Sequence, residues 1–302
     1  MKINLVFNYL NALLPSTCAK RLLHGRGGLV KGFEQINIEV YSKVLWVIIY
    51  QQVDEQALLE VLSLAKDNMD KWNIDHIYIQ RRFTQGNPVE VHAGTDMYLD
   101  SEFEVKEGNL KYLVRLGRNQ NTGLFLDMCN GRKWLAQNSE KKSVLNLFSY
   151  TCSLGVSAAS GGARQVVNID MAKAAVKKGQ QNFAINNCTG TFLAQDIFKM
   201  VKRLNQKGPF DILVADPPSF QLNAFEVQKD YKKLLIKLKP SLADDAILML
   251  CLNSPVLDTQ FIHDMVEQVF ENAMFIKRLE NPEVLADVNE QASLKVMLYQ
   301  LE

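Results

Sequence analysis

The sequence predicts an α/β fold: a nucleotide-binding type of parallel sheet over residues 119–302, preceded by a smaller N-terminal α+β domain over residues 1–118. Three observations carry this expectation. Beyond residue 119, apolar runs suited to buried strands alternate with helical patterns, the signature of a parallel sheet. Val144 to Leu147 leads through a polar turn and a run of small residues to a second apolar run, Val166 to Ile169, closed by a single acid, Asp170. A hydrophobic content of 47% against 22% charged residues, over 302 positions, suits a folded globule with room for two domains.

Composition narrows the possible functions. The formal net charge is +1, so no global basic excess advertises nucleic acid and any such binding must come from local patches. Five cysteines and four histidines are scattered without ligand spacing, which predicts no metal site and free thiols in a reducing, cytoplasmic setting. No run is apolar and long enough to span a bilayer. Asn4, Asn8 and Asn11 interrupt the N-terminal apolar residues and make a poor signal peptide. Monomer and homodimer both remain open.

Taken in order, residues 1–24 read as a short helical or irregular lead-in broken near Pro15, then a flexible turn, His24-Gly-Arg-Gly-Gly28. Alternation from Phe33 to Val40 and β-rich composition from Val44 to Tyr50 predict strands. Val53 to Asn68 carries Leu58, Leu59, Leu62 and Ala65 at helical spacing. Asp75 to Arg82, Asp96 to Leu99, Phe103 to Val105 and Tyr112 to Leu116 read as further strands. In the second part, a helix toward Ala136 precedes the first strand, Val144 to Leu147. Later strands are expected at Val166–Ile169, Phe192–Ala194, Phe210–Asp216 and Ala246–Leu252, with helices over Leu154–Ser160, Met171–Asn186, Phe198–Leu204, Tyr231–Leu242 and Thr259–Asn272. Met274–Leu279 and Leu294–Leu301 finish the sheet as an antiparallel pair.

Two basic clusters stand in the front part. Lys20, Arg21, Arg26 and Lys31 are threaded through glycines; Arg81 and Arg82 are followed by Lys111, Arg115 and Arg118. Phe33, Phe83 and Tyr112 lie between them, as in proteins that bind single strands. Solvated surface charge accounts for either cluster equally well.

Ligands of open parallel sheets sit beyond the carboxyl ends of the strands, where Asp170, Asp196, Asp216 and Asn253 fall. The Gly-x-Gly-x-x-Gly that cradles a pyrophosphate is absent; the turn holds Phe148, Ser149, Tyr150, Thr151 and Cys152, with Gly155 alone to open the helix. That favours an adenosine ligand without phosphates, and S-adenosylmethionine fits better than NAD or ATP. Asp170 would accept the ribose hydroxyls beside Met171, and Asp196 the adenine amino group with Ile197 packing on the ring. Helix capping explains Asp170 or Asp196 as well. Asp216-Pro-Pro-Ser-Phe220 is the most specific chemical motif. Prolines stiffen the backbone, Asp216 and the Pro217 carbonyl accept from a planar amine, and Phe220 stacks on a base; the competing reading is a plain strand terminator.

From Gln120 onward the chain resembles the large-subunit ribosomal RNA methyltransferases of the class I S-adenosylmethionine-dependent fold. The resemblance rests on Gln120-Asn-Thr-Gly-Leu-Phe-Leu-Asp127, Leu145-Asn-Leu-Phe-Ser-Tyr-Thr151, Gly161-Gly162, Asp170, Asp196 with Phe198, and Asp216-Pro-Pro-Ser-Phe220. Gly27-Gly-Leu-Val-Lys-Gly-Phe33 and Phe103-Glu-Val105 look like the β-rich domain that precedes catalysis in that family. The resemblance implies a Rossmann-like class I methyltransferase sheet, S-adenosylmethionine as cofactor and RNA as partner. Cys152 stands where the family has glycine, and Asn121 and Met128-Cys129 replace its Lys and Gln-Arg. Cytosine-modifying relatives carry a nucleophilic cysteine just after the fifth strand, where this chain has Asn253; Cys251 lies two residues earlier. Asn253, which also reads as a simple turn residue, resembles the guanine-modifying relatives. With Asp216, Pro217, Pro218 and Phe220 it makes the expected catalytic set for direct attack by a guanine nitrogen. Cytosine-5 methylation, an inactive cofactor-binding assembly factor, and a small-molecule or protein methyltransferase are the alternatives.

Overall fold

In the computed structural model, the described residues are 3–117, 121–218, 220–221 and 225–302. Arg118, Asn119 and Gln120, at the expected domain junction, and Ser219 of the proline motif lie outside them. The chain divides into one unit of Met1–Leu126 with Pro282–Asn289, and a second of Asp127–Asn281 with Glu290–Glu302. Sequence reading placed a junction at residue 118 and had no signal for the excursion of residues 282–289.

The first unit runs α1 (Ile3–Leu13), β1 (Lys20–His24), β2 (Ile36–Tyr41), β3 (Val44–Ile49), α2 (Glu55–Asp67), α3 (Met69–Trp72), β4 (His76–Arg81), β5 (Val89–Ala93), β6 (Glu102–Glu107) and β7 (Leu110–Arg115). Its main sheet has the order β1-β2-β3-β4-β5, antiparallel except for β3 with β4, which α2 and α3 connect. Asp54 starts α2 by accepting the Gln56 and Ala57 amides, and Leu58, Val61, Leu62 and Ala65 bury one face. Two strands depart from the sequence expectation. Asp96–Leu99 forms turns with one bridge from Leu99 to Leu116, while the unpredicted β5, Val-Glu-Val-His-Ala, alternates apolar and polar residues and takes the sheet edge, where both its faces keep solvent contact. The lead-in contains β1, whose Leu22 and Leu23 join the core.

The second unit runs α4 (Cys129–Asn138), β8 (Ser143–Leu147), α5 (Ser153–Ser160), β9 (Gln165–Asp170), α6 (Lys173–Ile185), β10 (Thr191–Ala194), α7 (Ile197–Lys207), β11 (Phe210–Ala215), β12 (Phe220–Gln221), β13 (Phe225–Glu226), α8 (Val227–Leu238), β14 (Leu242–Leu252), α9 (Thr259–Val269), β15 (Met274–Leu279) and β16 (Lys295–Gln300). Seven strands form one sheet in the order β10-β9-β8-β11-β14-β16-β15. The first five are mutually parallel and β16 is antiparallel to both neighbours, as expected for the terminal pair. The central strands are nearly all apolar because helices cover both faces. The helix expected to run to Leu242 stops at Leu238, and residues from Leu242 on lengthen β14. Strand order reverses between β8 and β11, which opens a crevice at their carboxyl ends.

Candidate active site

Register places the rim. Leu147 pairs with Ile169 and Ala215, Ile169 with Leu193, and Ala215 with Leu250. The next residue on each strand is therefore Phe148, Asp170, Ala194, Asp216 or Cys251, all at one height. Asp170 and Asp216 flank β8 at two strand spacings, roughly 10 Å. Asp196 follows two residues past Ala194, and Asn253 two past Cys251.

The loop leaving β8 is strained and over-determined. Phe148, Tyr150 and Cys152 have φ of 53°, 48° and 60°, left-handed values that cost an L-residue about 1–2 kcal/mol each. The Ser149 amide donates to the Ile169 carbonyl at 3.0 Å, the Tyr150 amide to Asp170 Oδ2 at 2.8 Å, and Asn182 Nδ2 to the Thr151 carbonyl at 2.9 Å. Strain held by such cross-bonds marks functional loops. Glycine would take the left-handed backbone of Cys152 at no steric cost. Here the cysteine is accommodated: its thiol is buried against Gly179 of α6, where an added Cβ would stand 2.3 Å from Sγ. Burial pushes that thiol up to about 12, so it is packing, not a nucleophile.

Asp170 does not cap α6; Ala172 occupies that position. Its Oδ2 accepts from Tyr150 and its Oδ1 from the Ala172 amide at 2.8 Å, leaving each oxygen a second lone pair toward the rim. Two fixed acceptors with spare capacity fit a ribose diol. Met171, beside it, is exposed. Asp196 does cap its helix, Oδ1 accepting the Phe198 amide at 2.9 Å, and Oδ2 makes no hydrogen bond among the described residues. Capping and adenine binding are thus compatible there. Ile197, directly after Asp196, is buried in the main core with Leu193 and Met200. Gly155 turns its Cα toward the sheet: a Cβ would meet Asn168 Oδ1 at 2.1 Å and Asn146 Nδ2 at 3.3 Å. Its small size lets α5 sit on the buried Asn146–Asn168 pair, bonded at 2.9 Å.

On the other flank, Asp216 is held near neutrality. Burial raises its carboxyl from 3.8 to about 7, the Asp127 charge adds to this, and a hydrogen bond from Cys251 opposes it. The Tyr231 hydroxyl pins the preceding Ala215 carbonyl at 2.9 Å. Pro217 is buried and Pro218 exposed. The chain then enters the β12–β13 hairpin; only the backbone of Phe220 is described. Phe225 of β13 anchors it, its ring 4.9 Å from that of Phe148 and 6.2 Å from Tyr231. Asn253 is exposed at the end of β14. The turn after it is held by Lys295, a buried side chain donating to the Ser254, Gln291 and Ser293 carbonyls at 2.9, 2.6 and 2.9 Å. Burial first, then Arg278, lowers that ammonium to about 8 against the pull of Asp258.

Sequence reading assigned no role to Asp127, Tyr231, Phe225 or Lys295. Asp127 stood inside a matched segment, and its acid could have been paired with Asp216. The others had no signal, since each works through a long-range contact. No group of three or more His, Cys, Asp or Glu placed to hold a metal occurs among the described residues. No helix among them is long and apolar enough to cross a membrane.

The chain resembles known proteins in sequence and in fold. The chain is 30% identical over 307 residues to "Putative ribosomal RNA large subunit methyltransferase YwbD" of Bacillus subtilis (strain 168), covering 94% of this chain and 75% of that one. It is 35% identical over 187 residues to ribosomal RNA large subunit methyltransferase K/L of Psychrobacter arcticus, covering 58% of this chain. That match takes in 24% of the relative, so the chain spans about a quarter of the K/L protein's length. Among solved structures, "SMU.776, a putative methyltransferase complexed with SAH" shares the fold at a TM-score of 0.84 and 24% identity, covering 100% of this chain and 82% of that one. The S-adenosylmethionine-dependent methyltransferase family matches residues 20–300, and the chain belongs to that family.

Proposed function

We propose that the chain methylates a base of large-subunit ribosomal RNA, a guanine, by direct attack of a base nitrogen, in the cytoplasm. The observation that carries this reading is Asp216, a carboxyl held near neutrality at the switch point, with Asn253 beyond it. S-adenosylmethionine supplies the electrophilic methyl. Asp170 holds the ribose, Asp196 receives the adenine amino group on Oδ2, and Phe148 to Thr151 shape the methionine side. Asp216 in its charged form and the Pro217 carbonyl accept from the base amine, aiming its lone pair, with Phe220 as the stacking face. With cofactor bound, the nitrogen–methyl bond would form as the sulfur–methyl bond breaks, the thioether S-adenosylhomocysteine leaving with the electron pair, and Asp216 would take the proton that the nitrogen gives up. Positioning of this kind supplies much of the rate when no metal is needed. Residues 1–118 serve in this reading as the RNA-binding part.

Cytosine-5 methylation needs a thiolate at carbon 6. Cys251 is buried and bonded to Asp216, and burial, then the Asp216 and Asp127 charges, push its thiol well up. Cys251→Ser should therefore keep methyl transfer within a few-fold; its abolition would restore the covalent route. The direct test is mass mapping of ribosomal RNA from cells with and without the gene, complemented by wild type or Asp216→Asn. We expect one guanine methyl to vanish and return only with wild type; an unchanged methylation map would reject the reading.

A further inference from the structure

The two basic clusters of the first unit lie 56 positions apart at Arg26 and Arg82, yet they converge on one ring. The Arg26 guanidinium carbon lies 4.3 Å from the Tyr50 ring centroid and that of Arg82 lies 5.4 Å from it. These distances keep the two charges within about 10 Å of each other, near one Debye length at physiological salt, so they act as a joint field. The arrangement is built from below. Gln80, buried in β4, accepts from Arg82 Nε at 2.9 Å. Arg82 Nη1 and the side-chain amide of buried Asn37 both meet the Tyr50 hydroxyl at 3.4 Å.

The loop bearing Arg26 is equally constrained. A Cβ on Gly25 would lie 1.7 Å from the Phe33 carbonyl oxygen, and one on Gly27 2.4 Å from that of Ala286. The Val288 amide donates to the Gly27 carbonyl at 2.8 Å, which fastens the excursion of residues 282–289 beneath the turn. His24-Gly-Arg-Gly-Gly28 is thus a rigid mount that holds an exposed arginine over an aromatic ring. Arg26 makes no ion pair among the described residues, whereas Arg21 beside it is paired with Glu39 and Arg81 with Glu55 and Glu90. Leu29 and Phe83, the apolar neighbours of this pair in sequence, are exposed.

We propose that Arg26, Tyr50 and Arg82 form a docking site for single-stranded RNA, the planar guanidinium groups taking phosphates and offering stacking faces to a base. Arginine suits both tasks, as lysine does not, and an aromatic platform in a basic field is how proteins hold single strands. The inference rests on the RNA reading above and supplies the place where the strand is gripped outside the methyl-transfer crevice.

The test uses the full chain and a fluorescein-labelled oligouridylate of about 12 nucleotides, a usual single-strand site size, followed by anisotropy between about 50 and 200 mM salt. Arg26→Ala with Arg82→Ala should weaken binding about tenfold or more and reduce the salt slope by about 1.4, two lost phosphate contacts on a single strand. Tyr50→Ala should weaken it to a similar extent, and Arg26→Lys with Arg82→Lys should fall between. Far-ultraviolet circular dichroism and urea unfolding report whether each variant is folded. Arg26→Glu, a change at an exposed side chain, serves if the others are not; it too should weaken binding tenfold. Variants that bind the oligonucleotide within twofold of wild type overturn the site, as does a wild type that methylates ribosomal RNA but does not bind the oligonucleotide. A wild type that neither binds it nor methylates ribosomal RNA removes the RNA reading and the site together.

Discussion

Replacing Asp216 with asparagine separates the role of this carboxyl in chemistry from its effect on stability. In the folded state it titrates at about 7 instead of 3.8, because burial and then Asp127 disfavour its charge. A folded value above the unfolded one means that the native state holds a proton the unfolded chain has released. The stabilisation is complete below the unfolded value and is lost as pH rises through the folded value. Each pH unit is worth about 1.4 kcal/mol, which gives a ceiling of about 4 kcal/mol across the whole window. Between pH 5 and pH 8, linkage leaves about 2–3 kcal/mol, an upper figure because Asp216 keeps some solvent contact. Asparagine has no such dependence. Urea unfolding of both proteins at the two pH values should therefore show Asp216→Asn gaining about 2 kcal/mol relative to wild type on moving from pH 5 to pH 8. Methyl transfer should meanwhile fall about a hundredfold or more, the usual loss of a proton acceptor. A stability difference that is the same at both pH values would refute the placement of this carboxyl. Full activity of the variant would refute its role.

Other expectations follow from the same geometry. The wild-type transfer rate should rise with pH through about 7 as Asp216 ionises, and Asp127→Asn should move that midpoint downward, read from single-turnover rates across pH. Asp170→Ala should weaken S-adenosylhomocysteine binding about a hundredfold in calorimetry, since two hydrogen bonds to a charged acceptor are each worth about 1.5–3 kcal/mol; unchanged affinity would place the ribose elsewhere. Gly155→Ala should lower stability by about 1–3 kcal/mol in thermal unfolding, because its Cβ would overlap Asn168.

The legible parts of the chain were those where local pattern and tertiary role coincide. β8, β9, β11 and β14 read as apolar runs because helices cover both faces of the sheet, and their ends could be marked by Asp170, Asp216 and Asn253. Edge strands were harder: β5 is five residues long, starts directly after the Gly86-Asn-Pro88 turn and keeps both faces partly wet, and β1 hid behind the break at Pro15. At the site, the identity of the rim acids was readable but their duties were not. Asp170 could have capped a helix; the bonds from Tyr150 and Ala172 show that it instead fastens the loop. Ile197 and Gly155, expected at the cofactor, also serve the core and the approach of α5 to the sheet, which no local pattern announced.

The sequence by itself determined the α/β class, the order of the central strands' ends and the acids that close them. These depend on periodicity and on neighbours along the chain. Only the tertiary structure decided that burial, then Asp127, raise the proton affinity of Asp216 against the bond from Cys251, that Lys295 holds the turn after Asn253, and that Arg26 and Arg82 share the ring of Tyr50. Electrostatic fields, buried hydrogen bonds and ring contacts act through space over a few ångströms, and residues far apart in the chain carry no local mark of the partners that folding brings to them.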